Sequence, residues 1–437
     1  MREELLSQAR LAVEVGREAG AQDVVAGVSW SRGLRFEWRE GRLERVQEST
    51  SRRLGLAVYV DGRFSTCNTN DLDPDRLRGF AREVVDMTRC LEVDPHRKIT
   101  PPELYEGRSE IDLDLVDPEL ASLSRDQRIE WCREMDERSR DDEVVQTAEN
   151  WVSDSHGISA RVTSNGFEGV EEQTGIWLFA EVSARDGDKR PEAAYYAGGT
   201  HLAGLPTPAT IAEEARRRAL ARIGSAKVQS RRTTLVLDPE AASSFLGRVF
   251  GALSGSAIQQ KRSYLGESLG REIASPLLSL RDDPLRVRGL ASQHYDSEGI
   301  AARPRPVITS GVLDTFFVDT YYGSKLGWEP TTGSSSNVVF EHGDAGLEGI
   351  LADVRDGIYV TSWLGGNANM STGDFSFGLR GHLVEGGQLS APVSEMNVTG
   401  NYGELLKQLV RVGNDPVPWS SFRAPTLVFE DVQFSGV

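Results

Sequence analysis

GGNANMSTGDFSFGLRGHLVEGGQ, Gly365 to Gln388, joins two kinds of sequence in one stretch. In its second half Phe375, Phe377 and Leu379 alternate with Ser376, Gly378 and Arg380. That period of two puts one face of a strand in a core and the other in water. Glu385-Gly386-Gly387 then supplies the backbone freedom of a hairpin turn into QLSAPV. The first half, Gly365 to Asp374, is small and polar, and leaves its backbone accessible to an extended ligand. The stretch therefore predicts a β-rich C-terminal domain.

The surrounding chain reads as three units. In 229–437, TTLVL is a short strand, and Asp238-Pro239 caps a helix over EAASSFLGRVFGAL, Glu240 to Leu253. Short alternating runs follow, interrupted by one late helix, GELLKQLVRVG. In 116–228, SRDQRIEWCREMDERSR predicts an amphipathic helix, several strands come next, and Thr207-Pro208 opens a helix closed by Gly224. In 1–92, a helix ending near Gly20 leads into VVAGVSW, LRFEWRE, LERVQEST, RRLGLAVYV and RFSTCNT, read as separate strands. Glu40-Gly41 and Asp61-Gly62 mark tight turns, and Asp73-Pro74 starts a helix to about Cys90. Residues 93–115, proline-rich and without periodicity, read as a linker. The expected class is α+β, with antiparallel sheets and flanking helices before the β-rich C-terminal domain.

The 437 residues carry 66 acidic and 49 basic side chains, a formal charge of −17, which disfavours direct contact with nucleic acid or an anionic membrane. The longest apolar runs, such as LAVYV, are far too short to span a bilayer. The first twenty residues lack a signal-peptide core, and Cys67, Cys90 and Cys132 are widely spaced, so a cytoplasmic protein with free thiols is expected.

Chemistry is sparse. The six histidines, His96, His156, His201, His294, His342 and His382, lie at least 40 positions apart, so no helix presents a pair to a metal. There is no G-x-S-x-G elbow and no Walker A sequence. His294, Asp296 and Glu298 in HYDSEG offer a carboxylate pair beside an imidazole, although this pattern more often marks a strand end and turn. EEARRRALAR pairs acid with base along a helix and reads as a solvated face rather than an anion site.

STGDF (371–375), GHLVEGGQLSAPV (381–393), VTGN (398–401) and VGND (412–415), in that order, resemble the TldD/PmbA family, also labelled modulators of DNA gyrase. RLGLAVYVDGRFSTCNTNDLD is similar to that family's N-terminal domain. The resemblance implies a cytoplasmic heterodimeric zinc metallopeptidase acting on unstructured peptides, modified ones included. Catalytic TldD members carry His-Glu-x-x-x-His on a helix of the third domain and a later cysteine ligand. The matching helix here, Glu240 to Leu253, has no histidine, and no cysteine follows Cys132. The resemblance is thus to the TldE/PmbA subunit. It implies no catalytic or metal-binding residue and no cofactor in this chain, zinc in a TldD-like partner, and possible self-association when alone. On that reading Gly365, Gly366, Asn367, Asn369, Ser371, Thr372, Gly373 and Asp374 are expected to line the peptide chamber beside the partner's metal. A stand-alone peptide-binding scaffold using β-strand addition is the alternative.

Overall fold

The computed structural model describes residues 1–140 and 143–437. Strands β1 (Asp23–Arg39), β2 (Arg42–Val60), β3 (Arg63–Thr69), β4 (Val145–Thr163), β5 (Glu168–Ala184) and β6 (Glu192–Gly199) form one antiparallel sheet in the order β3-β2-β1-β4-β5-β6. The first and middle units thus share a sheet, joined where β1 pairs with β4. Both predicted turns form, with positive φ at Glu40 and Gly41 (51° and 79°) and at Asp61 and Gly62 (48° and 72°).

The strands are longer than their sequence suggested. VVAGVSW and LRFEWRE are one strand, as are LERVQEST and RRLGLAVYV. Ser31-Arg32-Gly33 looks like a break, but β2 and β4 hold it on both sides, and paired ladders override weak local propensity. β1 consequently serves two cores. Val24, Ala26 and Val28 pack under helices α1 (Arg2–Glu18) and α2 (Pro74–Arg89). Phe36 and Trp38 belong to a second core with α3 (Arg125–Ser139) and α4 (Pro208–Leu220). The caps read from sequence are in place: Asp73 accepts the Asp75 and Arg76 N–H groups, and Thr207 accepts that of Thr210.

The C-terminal domain starts with β7 (Arg231–Leu237) and α5 (Pro239–Ala252). A small sheet of β8 (Leu280–Asp282), β9 (Arg305–Thr309), β10 (Val312–Leu313) and β11 (Val338–Phe340) follows. Next come β12 (Asp356–Asn369), β13 (Asp374–Glu385), β14 (Gln388–Asn401), β15 (Leu409–Val412), β16 (Phe422–Arg423), which joins the small sheet, and β17 (Leu427–Ser435). The main sheet runs β14-β13-β12-β7-β17-β15, and β14 pairs back onto β17, closing five strands into a ring. The opening stretch behaves as read: Phe375, Phe377 and Leu379 are buried, and Gly386 and Gly387 turn the hairpin with positive φ.

The late helix is the clearest correction. Only Tyr402–Leu405 is α-helical; a 3-10 turn follows over Leu406–Gln408, and Leu409–Val412 is β15, pairing with β17. Leu405, Leu406 and Leu409 suit a helix face, yet Leu409, Arg411 and the β-branched Val412 pair with β17, with Val410 in the bulge, a ladder that the sequence alone does not reveal.

Candidate functional site at the open edge of β12

Ring closure leaves β12 without a second neighbour along part of its length. β7 accompanies β12 only from Gly357 to Val360, whereas β13 follows it to Asn369. Among the described residues no other strand pairs with β12 beyond Val360. Two register shifts, between Val360 and Ser362 and between Trp363 and Gly365, bulge this overhang. Leu364 to Asn367 are exposed, and an exposed edge with free backbone groups is suited to capturing an extended chain.

The eight chamber residues expected from sequence fall into two groups. Gly365, Gly366, Asn367 and Asn369 are on β12, opposite Gly378, Phe377, Ser376 and Asp374 of β13. Gly365 and Gly366 have φ of 123° and 134°, a backbone shape that favours glycine. Ser371, Thr372, Gly373 and Asp374 form a turn whose polar groups serve the turn itself. Asn369 accepts the Ser371 N–H at Oδ1 (3.0 Å) and the Gly373 N–H at its carbonyl (2.7 Å). Asp374 accepts from Thr372 Oγ1 (2.7 Å) and Asn401 Nδ2 (2.9 Å), which hold its carboxyl below the usual carboxylate range. The turn is scaffold, and the strand carries the accessible edge.

Helix α5 lies against this overhang: Trp363 Nε1 donates to the Ala241 carbonyl at 3.0 Å. Its inward face is Ala241, Ala242, Phe245, Leu246, Val249 and Ala252, all buried at helical spacing. Ser244, Gly247, Arg248 and Gly251 occupy the other side and offer no imidazole, thiol or carboxylate. Glu240, its sole acidic residue, is paired with Arg218 at 3.0 Å. Among the described residues no three His, Cys, Asp or Glu side chains are grouped to hold a metal ion. A zinc ion held by His-Glu-x-x-x-His, which the resemblance implies for TldD-like proteins, does not fit the residues of this helix.

At the start of α5, Asp238 accepts the Glu240 N–H (2.9 Å) and the Tyr359 hydroxyl (2.7 Å). Burial pushes its carboxyl up to about 6, against the stabilising Tyr359 bond. A folded-state value above the unfolded one means that the native state binds the proton more tightly. Stability from this group is then greatest below about 4 and falls as pH rises toward 6, by up to about 3 kcal/mol. Asp238→Asn, which stays neutral, is expected to remove this dependence. The wild type should lose stability relative to that variant between pH 4 and 7 in denaturant unfolding; a constant difference would contradict the assignment.

His294, Asp296 and Glu298 do not converge. His294 Nε2 meets the Ile111 carbonyl (2.9 Å), Asp296 accepts the N–H groups of Glu298, Ile300 and Gly333, and Glu298 accepts from Thr320. Burial raises both carboxyls, but their oxygens are occupied in holding turns. The turn reading holds for HYDSEG.

Sequence reasoning missed a groove across the open face of the six-stranded sheet. Three cavities of about 570, 280 and 640 Å³ adjoin, the first two sharing Ser29, Ser159 and Glu171 and the last two Ser31, Gly157 and Gln173. Tyr295 and Trp419 of the C-terminal domain line its ends. Glu171, raised by burial, accepts the His294 N–H at 3.2 Å. Alternating small residues on long strands were the available signal, but without the register they could not be assembled into a surface.

Three family models match this chain in order: PmbA/TldA metallopeptidase domain 1 at 24–88, the central domain at 118–223 and the C-terminal domain at 230–436. A Bacteroides thetaiotaomicron crystal structure, described as a putative modulator of DNA gyrase, is 40% identical, covers 99% of this chain and 98% of its own, and superposes with a TM-score of 0.96. The chain belongs to the PmbA/TldD family. The metalloprotease PmbA of Escherichia coli O157:H7 is 27% identical over 439 residues, spanning 99% of this chain and 96% of that protein. TldE from Thermococcus kodakarensis is 20% identical over 98% of this chain and 100% of its own, with a TM-score of 0.86, and shares the fold. No helix of the PmbA/TldD-family chain, among the described residues, is long and apolar enough to cross a membrane.

Proposed function

We propose that this chain is the non-catalytic, TldE-like subunit of a cytoplasmic heterodimeric metallopeptidase that degrades or matures unstructured peptides. A TldD-like partner carries the zinc and the water it activates. This chain contributes the open edge of β12, which holds an extended peptide by main-chain hydrogen bonds, and the groove along its six-stranded sheet. The observation that carries the reading is α5: where catalytic relatives place histidines, this helix has an apolar core face and no ligand. The metalloprotease names of relatives such as the Escherichia coli PmbA support the peptidase assignment. The charge of −17 argues against direct nucleic-acid binding.

The partner is tested by affinity purification of the tagged chain from its own cells. Co-purification of a homologue bearing His-Glu-x-x-x-His is the expected result. The β12 edge also supports a second reading, a peptide-binding scaffold with no proteolytic role, because strand addition needs no metal. A stable homodimer that binds unfolded peptide and recovers no such homologue would favour the scaffold.

A further inference from the structure

The arginine-rich segment of α4 does not face water as a whole. Arg217 is exposed, but Arg218 is drawn inward between Glu214 (2.8 Å) and Glu240 (3.0 Å). Arg222, just past the helix, reaches the gap between the β5–β6 turn and β14. The solvated-face reading of EEARRRALAR therefore fails at its C-terminal end.

That gap is a cavity of about 300 Å³ whose charged lining is Lys189, Arg190, Arg222, Lys227, Arg380 and Glu395. Five cations thus face one carboxylate at the wall, in a chain whose overall charge is −17. The nearby acids are weakly engaged: Glu395 is 3.9 Å from Lys227, and Glu192 is 4.0 Å from Arg380, with both carboxylates mostly exposed. Asp186, on the same turn, accepts the Gly224 N–H at 2.9 Å. Arg222 donates to neutral atoms, the Glu192 carbonyl and Ser362 Oγ (3.1 Å). Burial, with Arg380 and Arg218 nearby, pushes Arg222 down to about 10, against the opposing pull of the Glu192 and Glu240 carboxylates. Arg380 stands between Ser362 and Ser394 in the ladder, so the sheet fixes where it emerges.

We propose that this cleft is an oxyanion site, in which a carboxylate or phosphate group sits between Arg222 and Arg380. Two guanidiniums lining one partly enclosed space fit the planar, multidentate recognition that arginine provides for oxyanions. The C-terminal carboxylate of a peptide and a small free anion are the two sources of that chemistry. The proposal does not depend on the subunit reading, since it requires neither a partner nor a metal.

The test is calorimetric titration of the full chain with inorganic phosphate at constant ionic strength. Saturable binding is expected, weakened about tenfold or more by Arg380→Gln, as loss of a charge-assisted hydrogen bond implies. Lys98→Gln, outside the cleft, should leave it unchanged. If Arg380→Gln perturbs folding, the exposed Lys227→Gln should still weaken binding severalfold. Absence of saturable binding, or equal effects of the cleft and Lys98 variants, would overturn the site. Displacement of phosphate by a peptide acid but not by its amide supports the site with a peptide terminus as the source. Binding that neither peptide displaces supports it with a small anion.

Discussion

Gly366→Ala is expected to unzip the β12–β13 overhang. A Cβ at this position would lie 2.2 Å from the Ser376 carbonyl oxygen and 2.7 Å from the Phe377 Cα, and both are backbone atoms of the paired strand. They cannot move without breaking the register that sets Gly366 opposite Phe377. The φ of 134° adds strain that alanine does not readily accommodate. Together these should cost about 3 kcal/mol or more in local opening energy. Gly365→Ala is the matched control: its φ is 123°, but nothing lies within 4 Å of the added Cβ, so only the strain of about 1–3 kcal/mol applies. Hydrogen exchange of β12 and β13 amides reads the difference directly. Faster exchange should be confined to this hairpin, and peptide binding should fall with it. Equal protection in the two variants would mean that the close backbone approach is not limiting.

Phe245→Ala should produce the largest loss in the C-terminal domain. The Phe245 ring is 1% exposed and meets Tyr402, Phe375, Trp363 and Phe377 at centroid distances of 4.7, 5.1, 5.5 and 5.8 Å. Its removal leaves a cavity that four rigid rings cannot fill, costing about 3–5 kcal/mol. For a domain of this size the thermal midpoint should fall by on the order of 10 °C. Trp363 and Phe377 also anchor the overhang, so peptide binding should weaken in the same variant. A loss under about 1 kcal/mol would show that α5 is not held as a core helix. The prediction bears on function because α5 is the helix that the sequence resemblance matches to the His-Glu-x-x-x-His helix expected of TldD-like proteins. Here its inward face is given over to packing.

Local signals were the ones the sequence expressed well. Asp73, Thr207 and Asp238 each precede proline and each caps a helix through its own side chain, a device contained within four residues. Phe375, Phe377 and Leu379 declared their strand because burial on one face imposes a period of two. Features that depend on distant partners were not legible. Ser31 to Gly33 stays extended because β2 and β4 flank it, and Val410 and Val412 become a strand because β17 is there to pair with. Arg222 lines a cleft only because β14 returns beside the β5–β6 turn. The candidate site divided along the same line. Its glycines were visible in sequence, but the open edge exists because β7 ends four residues into its pairing with β12.

The central claim is that this chain contributes a peptide-holding edge and no catalytic metal. Metal content and peptidase activity of the purified chain test it most directly, with an unfolded peptide as substrate. The account predicts less than stoichiometric zinc and no chelator-sensitive cleavage by the chain alone. Both should appear when a His-Glu-x-x-x-His homologue is added. One zinc per chain together with chelator-sensitive cleavage by the isolated protein would contradict it.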